Sequence, residues 1–103
     1  MDFDEKVWKV LSKIPKGKVA TYTQVARAAG SPRAFRAVGD ACNKNPRSPQ
    51  VPCHRVVSSN GFLGGYAHGP KKKATLLQKE GIRIKNNKIV DFSQVVVNAK
   101  DLK

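Results

Sequence analysis

The sequence is poor in acidic residues and in cysteine, and each scarcity excludes a class of protein. Only 7 of its 103 residues are Asp or Glu, against 20 Lys or Arg, so the formal net charge is +13 at pH 7. This balance excludes an acidic or neutral surface. Two cysteines are too few for a disulfide framework, which favours free thiols in a reducing compartment. No apolar run approaches the roughly 18 residues of a membrane span, so no membrane partner is expected.

The few acidic residues lie mostly at the two ends of the chain. Between Lys6 and Lys88, only Asp40 and Glu80 are acidic. A cationic middle is typical of a polyanion-binding surface, because each cation that meets a phosphate releases condensed counterions. The alternative is a solvated face that only keeps the protein soluble. The acidic first residues lack the apolar core of a signal peptide, so we expect an intracellular protein.

The length of 103 residues suits one domain with one modest core. We treat residues 1–103 as a single domain without internal repeats or linkers, and we expect a monomer. Four side chains could in principle supply zinc ligands: Cys42, Cys53, His54 and His68. Their spacing matches no Cys-x-x-Cys knuckle, and adjacent Cys53 and His54 would be awkward partners on one ion. The sequence therefore predicts no metal site.

Hydrophobic periodicity in the first third of the chain predicts two helices. Apolar residues recur at helical spacing from Phe3 to Ile14, and the following proline ends the pattern. Thr21 and Gln24 then fit a capping box for a second helix that runs to residue 29. Gly30 ends that helix, as glycine commonly does.

A third helix is predicted over residues 33–44, with Ser31 as its N-cap and Pro32 at its first position. Two short helices joined by a tight glycine turn form a helix-turn-helix. The third helix carries Arg33 and Arg36 beside small residues, so its backbone could closely approach a nucleic-acid strand. The alternative is that its alanines simply pack against a neighbouring element.

The second half of the chain is less regular. We predict a loop over residues 45–52, an extended piece at 54–57, and a helix that opens at Pro70 and stops at Gly81. Isoleucines and a valine flank Asn86-Asn87, which predicts a small hairpin, a wing beside the helix-turn-helix. Residues 92–103 are a tail whose order the sequence leaves open. The predicted fold class is mainly α with a small β wing, a winged helix-turn-helix DNA-binding domain.

The segment Pro52-Cys53-His54-Arg55-Val56 carries the strongest indication of chemistry. A thiol is a weak nucleophile until it loses its proton, and a flanking base, a cationic field and partial burial are the usual means of activation. All three are plausible for Cys53. The alternative for a cysteine in a basic protein is a small buried hydrophobe. We favour that interpretation for Cys42, which lies among apolar helix positions.

This segment resembles the hallmark Pro-Cys-His-Arg-Val of the O6-alkylguanine-DNA alkyltransferases, a family of direct-reversal DNA repair proteins. The resemblance covers roughly residues 6–82, through these segments: Ile14–Tyr22, Ala29–Gly39, Asn45-Pro46, Gly61, Gly64–Tyr66 and Leu76–Gly81. It implies that an alkyl group moves from guanine O6 to a cysteine thiolate in one irreversible displacement. It also implies that no metal or organic cofactor takes part, that each molecule acts once, and that the partner is double-stranded DNA containing O6-alkylguanine.

The resemblance assigns roles to the residues of the reaction. Cys53 would be the alkyl acceptor, His54 its general base acting through a water, and Glu80 the group that orients the imidazole. Asn45 would brace the active-site loop. Because the alkylated atom lies inside the duplex, the nucleotide must be flipped into a pocket. Arg36 would enter the base stack from a helix in the minor groove. Without the resemblance, Glu80 is a surface carboxylate paired with lysines and Arg36 an ordinary phosphate contact.

Further residues are implied to hold the DNA and the flipped base. Tyr22 would contact the 3′ phosphate and the base and help to rotate it, although on sequence alone it could equally be a buried aromatic. Backbone phosphates would be contacted by Thr23, Gln24, Ser31 and Ser59. The flipped guanine would lie against the remaining predicted contacts: the backbone carbonyls of Cys53 and Val56, the ring of Tyr66 and the amide of Ala67.

The sequence departs from the family pattern in two respects. The usual form carries an additional N-terminal domain, and without that support we expect the thiol to be less firmly held. His68 occupies a rim position where small residues are common, which disfavours bulky alkyl groups and leaves O6-methylguanine as the expected substrate.

Three hypotheses follow. The first is a methyltransferase that repairs O6-methylguanine. The second is a non-catalytic protein that binds alkylated DNA and recruits another repair pathway through a protein partner. Single-domain relatives called alkyltransferase-like proteins act in this way and replace the acceptor cysteine, whereas this chain keeps Cys53. The third is a winged-helix transcription factor that reads base edges, which the alanine-rich third helix disfavours.

Overall fold

The computed structural model describes residues 1–102 and is mainly helical with short strands, as predicted. Five helices are present in this range: α1 (Phe3–Leu11), α2 (Tyr22–Ala28), α3 (Phe35–Asn43), α4 (Pro70–Lys79) and α5 (Phe92–Val95). Four two-residue strands accompany them: β1 (Ala20–Thr21), β2 (Val56–Val57), β3 (Ile84–Lys85) and β4 (Lys88–Ile89). Two 3₁₀ turns cover Cys53–Arg55 and Ala99–Leu102. None of the helices in residues 1–102 is both long and apolar enough to cross a bilayer.

Helix α1 is capped at its start by Asp2 and ends earlier than its apolar pattern predicts. The Asp2 carboxylate accepts a hydrogen bond from the backbone N–H of Glu5 at 2.9 Å. The helix ends at Leu11, and residues 13 and 14 continue with tighter bonds to the third residue before them. The prediction of a helix to Ile14 was wrong by one turn, because the residue before a proline is disfavoured in the α conformation. Ile14 is nevertheless buried in the core.

Helix α2 begins and ends as predicted. The Thr21 hydroxyl accepts from the Gln24 N–H, and the Gln24 side-chain oxygen accepts from the Thr21 N–H, both at 3.0 Å. At the other end, the N–H of Gly30 bonds the carbonyl of Arg27, and the N–H of Ser31 bonds the carbonyl of Ala26. This is a Schellman motif, which requires the positive φ of +87° that Gly30 adopts.

Helix α3 begins later than predicted, at Phe35, with Ala34 as its N-cap. The prediction of Ser31 as N-cap and Pro32 as first helical residue was wrong. The N–H of Ser31 already closes the end of α2, and its carbonyl accepts from the N–H of Ala34 at 2.9 Å in a turn. Ser31 thus belongs to the connection between the two helices, and Arg33 lies outside the helix.

The main core lies among α1, α2 and α3, which pack against one another. Val7 and Leu11 of α1, Val25 of α2 and Val38 of α3 are fully buried in it. The indole N–H of Trp8 on α1 donates to the backbone carbonyl of Ala41 on α3 at 2.8 Å. This bond fixes the two helices relative to each other across the core.

A short parallel pair joins the helical part to the segment that follows Cys53. Strand β1 pairs with β2, with Ala20 opposite Val56 and Thr21 opposite Val57. The extended conformation predicted for residues 54–57 is correct for 56 and 57, whereas 54 and 55 lie in a 3₁₀ turn. Because β1 runs directly into α2, this pairing sets the start of α2 beside the Cys53 turn.

The predicted hairpin and the end of the chain complete the fold. Strands β3 and β4 pair antiparallel around Asn86 and Asn87, whose φ angles of +52° and +63° suit a tight two-residue turn. Residues 92–102, whose order the sequence leaves open, pack onto the rest. Val19 and Val97 are bonded through their backbones at 2.8 Å, and Leu102 is fully buried.

Candidate active site

A cavity of about 860 Å³ opens between the start of α2, the helix α3, the Cys53 turn and the loop before α4. Five of the residues predicted from the sequence line it: Tyr22, Arg36, Cys53, Tyr66 and Ala67. Arg36 is exposed at its mouth, and Cys53 is 4% exposed at its wall. The cavity therefore leads from a buried thiol to an opening that carries Arg36, and the exposed Asp40 of α3 lines it as well.

Behind Cys53, the side chains of His54, Glu80 and Arg55 form a hydrogen-bonded chain. His54 is 1% exposed, and its Nε2 lies 3.0 Å from Oε2 of Glu80. Arg55 donates to both carboxylate oxygens, from Nε at 2.9 Å and from a terminal nitrogen at 2.7 Å. Its other terminal nitrogen donates to the backbone carbonyl of Ile14 at 2.7 Å. The carboxylate is thus held from two sides, and the imidazole is held by the carboxylate.

Burial and hydrogen bonding set the pKa values of His54 and Glu80. It lowers the pKa of His54, and the hydrogen bond to Glu80 offsets that effect only in part. The imidazole is therefore neutral at pH 7, with its proton on Nε2 facing the carboxylate. Burial works to raise the pKa of Glu80, but the bonds from Arg55 and His54 outweigh it and hold this pKa below its usual value. Among the described residues, Nδ1 of His54 is buried without a hydrogen-bond partner.

Tyr22, the first residue of α2, forms the wall of the cavity opposite Gly64. A Cβ at Gly64 would lie 3.1 Å from the Tyr22 hydroxyl, and its φ of +72° also favours glycine. Glycine at this position is what lets the loop approach the ring. Burial raises the pKa of Tyr22 to about 12. The phenol is therefore protonated at neutral pH, and its hydroxyl donates a long hydrogen bond of 3.5 Å to the backbone carbonyl of Gly65.

Lys73 is a buried cation that the sequence interpretation missed. Its side chain on α4 is fully buried, and its Nζ donates to the backbone carbonyls of Val56 at 2.7 Å and Gly65 at 3.0 Å. The ammonium also lies 5.8 Å from the centroid of the Tyr22 ring. Burial lowers its pKa to about 8. Its spacing of four residues from the buried Leu77, on one helix face, is the signal that could have revealed it.

Two other groups near the thiol were not assigned a role from the sequence. Cys42 of α3 lines the same cavity, half-buried, and burial raises its pKa to about 12, so this thiol keeps its proton. The Ser48 hydroxyl lies 3.8 Å from Sγ of Cys53 and 3.0 Å from the hydroxyl of Tyr66. His68 packs edge-on against the Tyr66 ring, with the ring centroids 5.3 Å apart.

Asn45, predicted to brace the active-site loop, makes two hydrogen bonds within the segment that leads to Cys53. The side-chain amide of Asn45 donates to the carbonyl of Val51 at 2.6 Å, and its oxygen accepts from the N–H of Arg47 at 2.9 Å. Both partners lie in the loop that leads to Cys53. Asn45 therefore holds the loop that delivers the thiol, while it lies outside the cavity itself.

The remaining predicted residues do not line the cavity. Their group comprises Thr23, Gln24, Ser31, Val56 and Ser59. The Gln24 side chain is committed to the α2 cap and to the carbonyl of Val97, which its amide reaches at 2.8 Å. Val56 is fully buried, and its carbonyl, predicted to hold guanine, already accepts from Lys73. Ser59 is exposed. Within residues 1–102, no cluster of three or more His, Cys, Asp or Glu could hold a metal ion.

A comparison with known protein families and curated proteins gives matches over most of the chain. Residues 2–82 match the family described as the DNA-binding domain of 6-O-methylguanine DNA methyltransferase. A methylated-DNA–protein-cysteine methyltransferase of Methanosarcina barkeri is 51% identical over 79 residues, which cover 77% of this chain and 50% of that protein. The chain thus spans about half the length of this curated relative.

Two solved structures share the fold. The Mycobacterium tuberculosis OGT in complex with DNA superimposes with a TM-score of 0.76 at 44% identity, over 79% of this chain and 49% of that one. Schizosaccharomyces pombe Atl1, bound to damaged DNA containing O6-carboxymethylguanine, gives a TM-score of 0.83 at 29% identity. That match covers 93% of this chain and 94% of Atl1. By its sequence match and its fold, the chain belongs to the 6-O-methylguanine DNA methyltransferase family.

Proposed function

We propose that the protein repairs O6-alkylguanine in double-stranded DNA, chiefly O6-methylguanine, by moving the alkyl group irreversibly to Cys53. The observation that carries this proposal is the hydrogen bond between His54 and Glu80 behind the Cys53 thiol. His54 donates Nε2–H to Glu80, and its buried Nδ1 keeps a free lone pair on the residue next to Cys53. A neutral imidazole fixed in this tautomer is a suitable general base.

The reaction is a single displacement. The thiol proton of Cys53 passes through a water to Nδ1 of His54, and the negative charge of Glu80 stabilises the resulting imidazolium. The thiolate attacks the alkyl carbon, so the S–C bond forms as the bond between carbon and guanine O6 breaks. Guanine leaves with the electron pair and takes up, through water, the proton that His54 received, which restores the neutral imidazole. No cofactor enters this balance, and the thioether that remains on Cys53 ends the activity of that molecule.

We propose that α2 and α3 act as a helix-turn-helix with the β3–β4 hairpin as its wing. Support comes from the packing of α2 on α3 and from the opening of the cavity along α3. Helix α3 would lie in the minor groove, with Arg36 filling the space left in the base stack. Tyr22 would then face the flipped nucleotide, and its protonated hydroxyl would donate to it.

The remaining predicted contacts belong to the same proposal. Thr23, Ser31 and Ser59 would contact backbone phosphates at the edge of this surface. Gln24, whose side chain is committed to the α2 cap and to Val97, would do so through the second N–H of its amide. The carbonyl of Val56 has a second lone pair that a guanine amino group could use, because Lys73 occupies the first. A protein with this substrate works where the DNA is, inside the cell, and the short chain would act as a monomer.

The second candidate function is recognition of damage without chemistry, followed by recruitment of a repair partner. It is favoured by the match to Atl1, which covers nearly the whole of both chains. Cys53, buried in the cavity wall beside His54, favours the enzyme. The two functions differ in one observable, which is whether the thiol becomes alkylated.

The test is mass spectrometry of the protein after incubation with duplex DNA that carries one O6-methylguanine. We expect one added methyl on the peptide that contains Cys53, and restored guanine in the DNA. Cys53→Ala should abolish transfer and keep lesion binding, whereas Cys42→Ala, which removes the other cavity thiol, should still transfer. Tight binding to the lesion without methylation would instead support damage recognition alone. Loss of binding in Cys53→Ala would give Cys53 a structural role.

A further inference from the structure

Phe35 is a large apolar side chain at the surface, 46% exposed, and it is the first residue of α3. Scattered exposed hydrophobic residues are normal in monomeric proteins, so exposure alone indicates nothing. Phe35 differs because it lines the same cavity as Tyr22, Arg36 and Cys53. It is also absent from both core clusters of residues 1–102, so the packing of the fold does not account for it.

The backbone that carries Phe35 is held on both sides. The turn before it is closed by the bond from the N–H of Ala34 to the carbonyl of Ser31 at 2.9 Å. The bond from the N–H of Val38 to the carbonyl of Ala34, at 3.1 Å, closes the first helical turn around it. The exposed ring therefore stands on a fixed base rather than on a mobile loop.

Phe35 and Arg36 together combine two chemistries at the cavity mouth. Successive residues of an α-helix point about 100° apart, so the two side chains leave α3 in different directions. Arg36 offers a cation, which suits phosphates and the base stack. Phe35 offers an uncharged aromatic face, which suits the face of a nucleobase. An apolar wedge pressed against a base step is a recurrent way to unstack a duplex from the minor groove.

We propose that Phe35 is a second wedge residue, which stacks against the base pair that flanks the flipped nucleotide and so holds the duplex open. This inference rests on the proposed function. Arg36 fills the vacated position, while Phe35 supports the neighbouring step and covers the cavity mouth. Phe35 is a positioning residue, since it touches neither the alkyl group nor the thiol.

The test compares transfer from two DNA substrates that carry the same lesion. In a duplex the nucleotide must be unstacked, whereas in a single strand of the same sequence no base pair is opened. Removal of an aromatic stacking partner typically lowers affinity by a factor of about 5 to 160. We therefore expect Phe35→Ala to slow transfer from the duplex about tenfold or more. Transfer from the single strand should change by less than about twofold, because an unpaired nucleotide does not have to be extruded from a duplex. Phe35→Trp should restore the duplex rate.

A matched control is Phe62→Ala. Phe62 is 41% exposed and lies under the ammonium of Lys88, 5.4 Å from its ring centroid, but it borders a different depression. This variant should keep the wild-type rate on both substrates. Equal slowing on duplex and single strand by Phe35→Ala would make Phe35 a structural support of the site and overturn the proposal. An unchanged duplex rate would overturn it as well.

A second measurement separates this inference from the proposed chemistry. In the Cys53→Ala background, which cannot transfer, 2-aminopurine placed next to the lesion brightens when its step is unstacked. We expect Cys53→Ala to brighten it and Cys53→Ala/Phe35→Ala to lose most of the increase. If the wild type transfers no methyl but this difference appears, the chemistry fails and the wedge stands. If the two variants brighten the probe equally, the wedge is refuted.

Discussion

Replacing Lys73 by methionine should change how the stability of the protein depends on pH. The ammonium is fully buried against two carbonyls, and burial lowers its pKa from 10.5 to about 8. At about 1.4 kcal/mol for each pH unit, holding this charge in the fold costs about 3 kcal/mol at pH 7. Methionine would remove this cost, but it would leave the carbonyls of Val56 and Gly65 without their donor, at about 1 to 3 kcal/mol each. Lys73→Met should therefore change the free energy of unfolding at pH 7 only modestly.

The sign of the pH dependence follows from the lowered pKa. Between pH 8 and 10.5 the unfolded chain binds a proton at this lysine that the folded chain has released. The destabilisation caused by burying the ammonium is thus absent above pH 10.5, grows as the pH falls from 10.5 to 8, and is fully present below pH 8. From pH 7 to 9.5, the free energy of unfolding of the wild type should rise by about 2 kcal/mol relative to Lys73→Met.

Urea denaturation at several pH values measures this difference. Cys42 and Tyr22 titrate abnormally too, so the comparison is best made with Cys42→Ala in both proteins, and Tyr22 is common to both. The control is Lys72→Met, which removes an exposed lysine of the same helix. The free energy of unfolding of that variant should depend on pH in the same way as that of the wild type. A constant difference between wild type and Lys73→Met from pH 7 to 9.5 would refute the assignment of a depressed pKa to the buried ammonium.

Four other outcomes are expected. Glu80→Gln should lower the free energy of unfolding by about 2 kcal/mol at pH 7. In urea titrations this difference should begin to shrink as the pH falls below 4.5 and should vanish only as the pH falls through the lowered pKa of the folded carboxylate. In Cys53→Ala, iodoacetamide at pH 8 should label Cys42 at least about 100-fold more slowly than free cysteine, and rapid labelling would contradict its raised pKa. Duplex binding should weaken steeply with salt, since a flat plot of log affinity against log salt would exclude a phosphate-binding surface. Arg36→Ala should slow duplex transfer far more than Lys71→Ala, an exposed lysine of α4, in single-turnover assays; equal rates would exclude a role in flipping.

The sequence correctly predicted features that are stabilised by contacts between residues only a few positions apart. The Thr21–Gln24 capping box, the glycine that ends α2 and the Asn86-Asn87 turn each depend on contacts within a few residues, and each is present. The pairing of His54 with Glu80 spans 26 residues, and only the family resemblance indicated it.

Two kinds of feature could not be predicted from the sequence. One is a helix start whose backbone groups are also used by the preceding helix, and the other is a contact between residues far apart in the chain. Ser31 has good N-cap chemistry, but its N–H closes the end of α2 and its carbonyl closes a turn with Ala34, so α3 begins at Phe35 rather than at residue 33. Lys73 is third in a run of lysines, its spacing from Leu77 is the one local signal, and the packing of α4 on the Cys53 turn is what buries it. The carboxylate clamp of Arg55 and the docking of residues 92–102 likewise require contacts between distant parts of the chain.

The bond between Trp8 and the carbonyl of Ala41 has a spectroscopic consequence. Trp8 is the only tryptophan in the sequence, and its indole bridges α1 to the helix that carries Phe35 and Arg36. Indole emission responds to the loss of a hydrogen bond and to the entry of water. Intrinsic fluorescence therefore reports the seating of α3 on the core without any attached dye. If α3 shifts when the protein binds DNA, the emission wavelength or intensity of Trp8 should change.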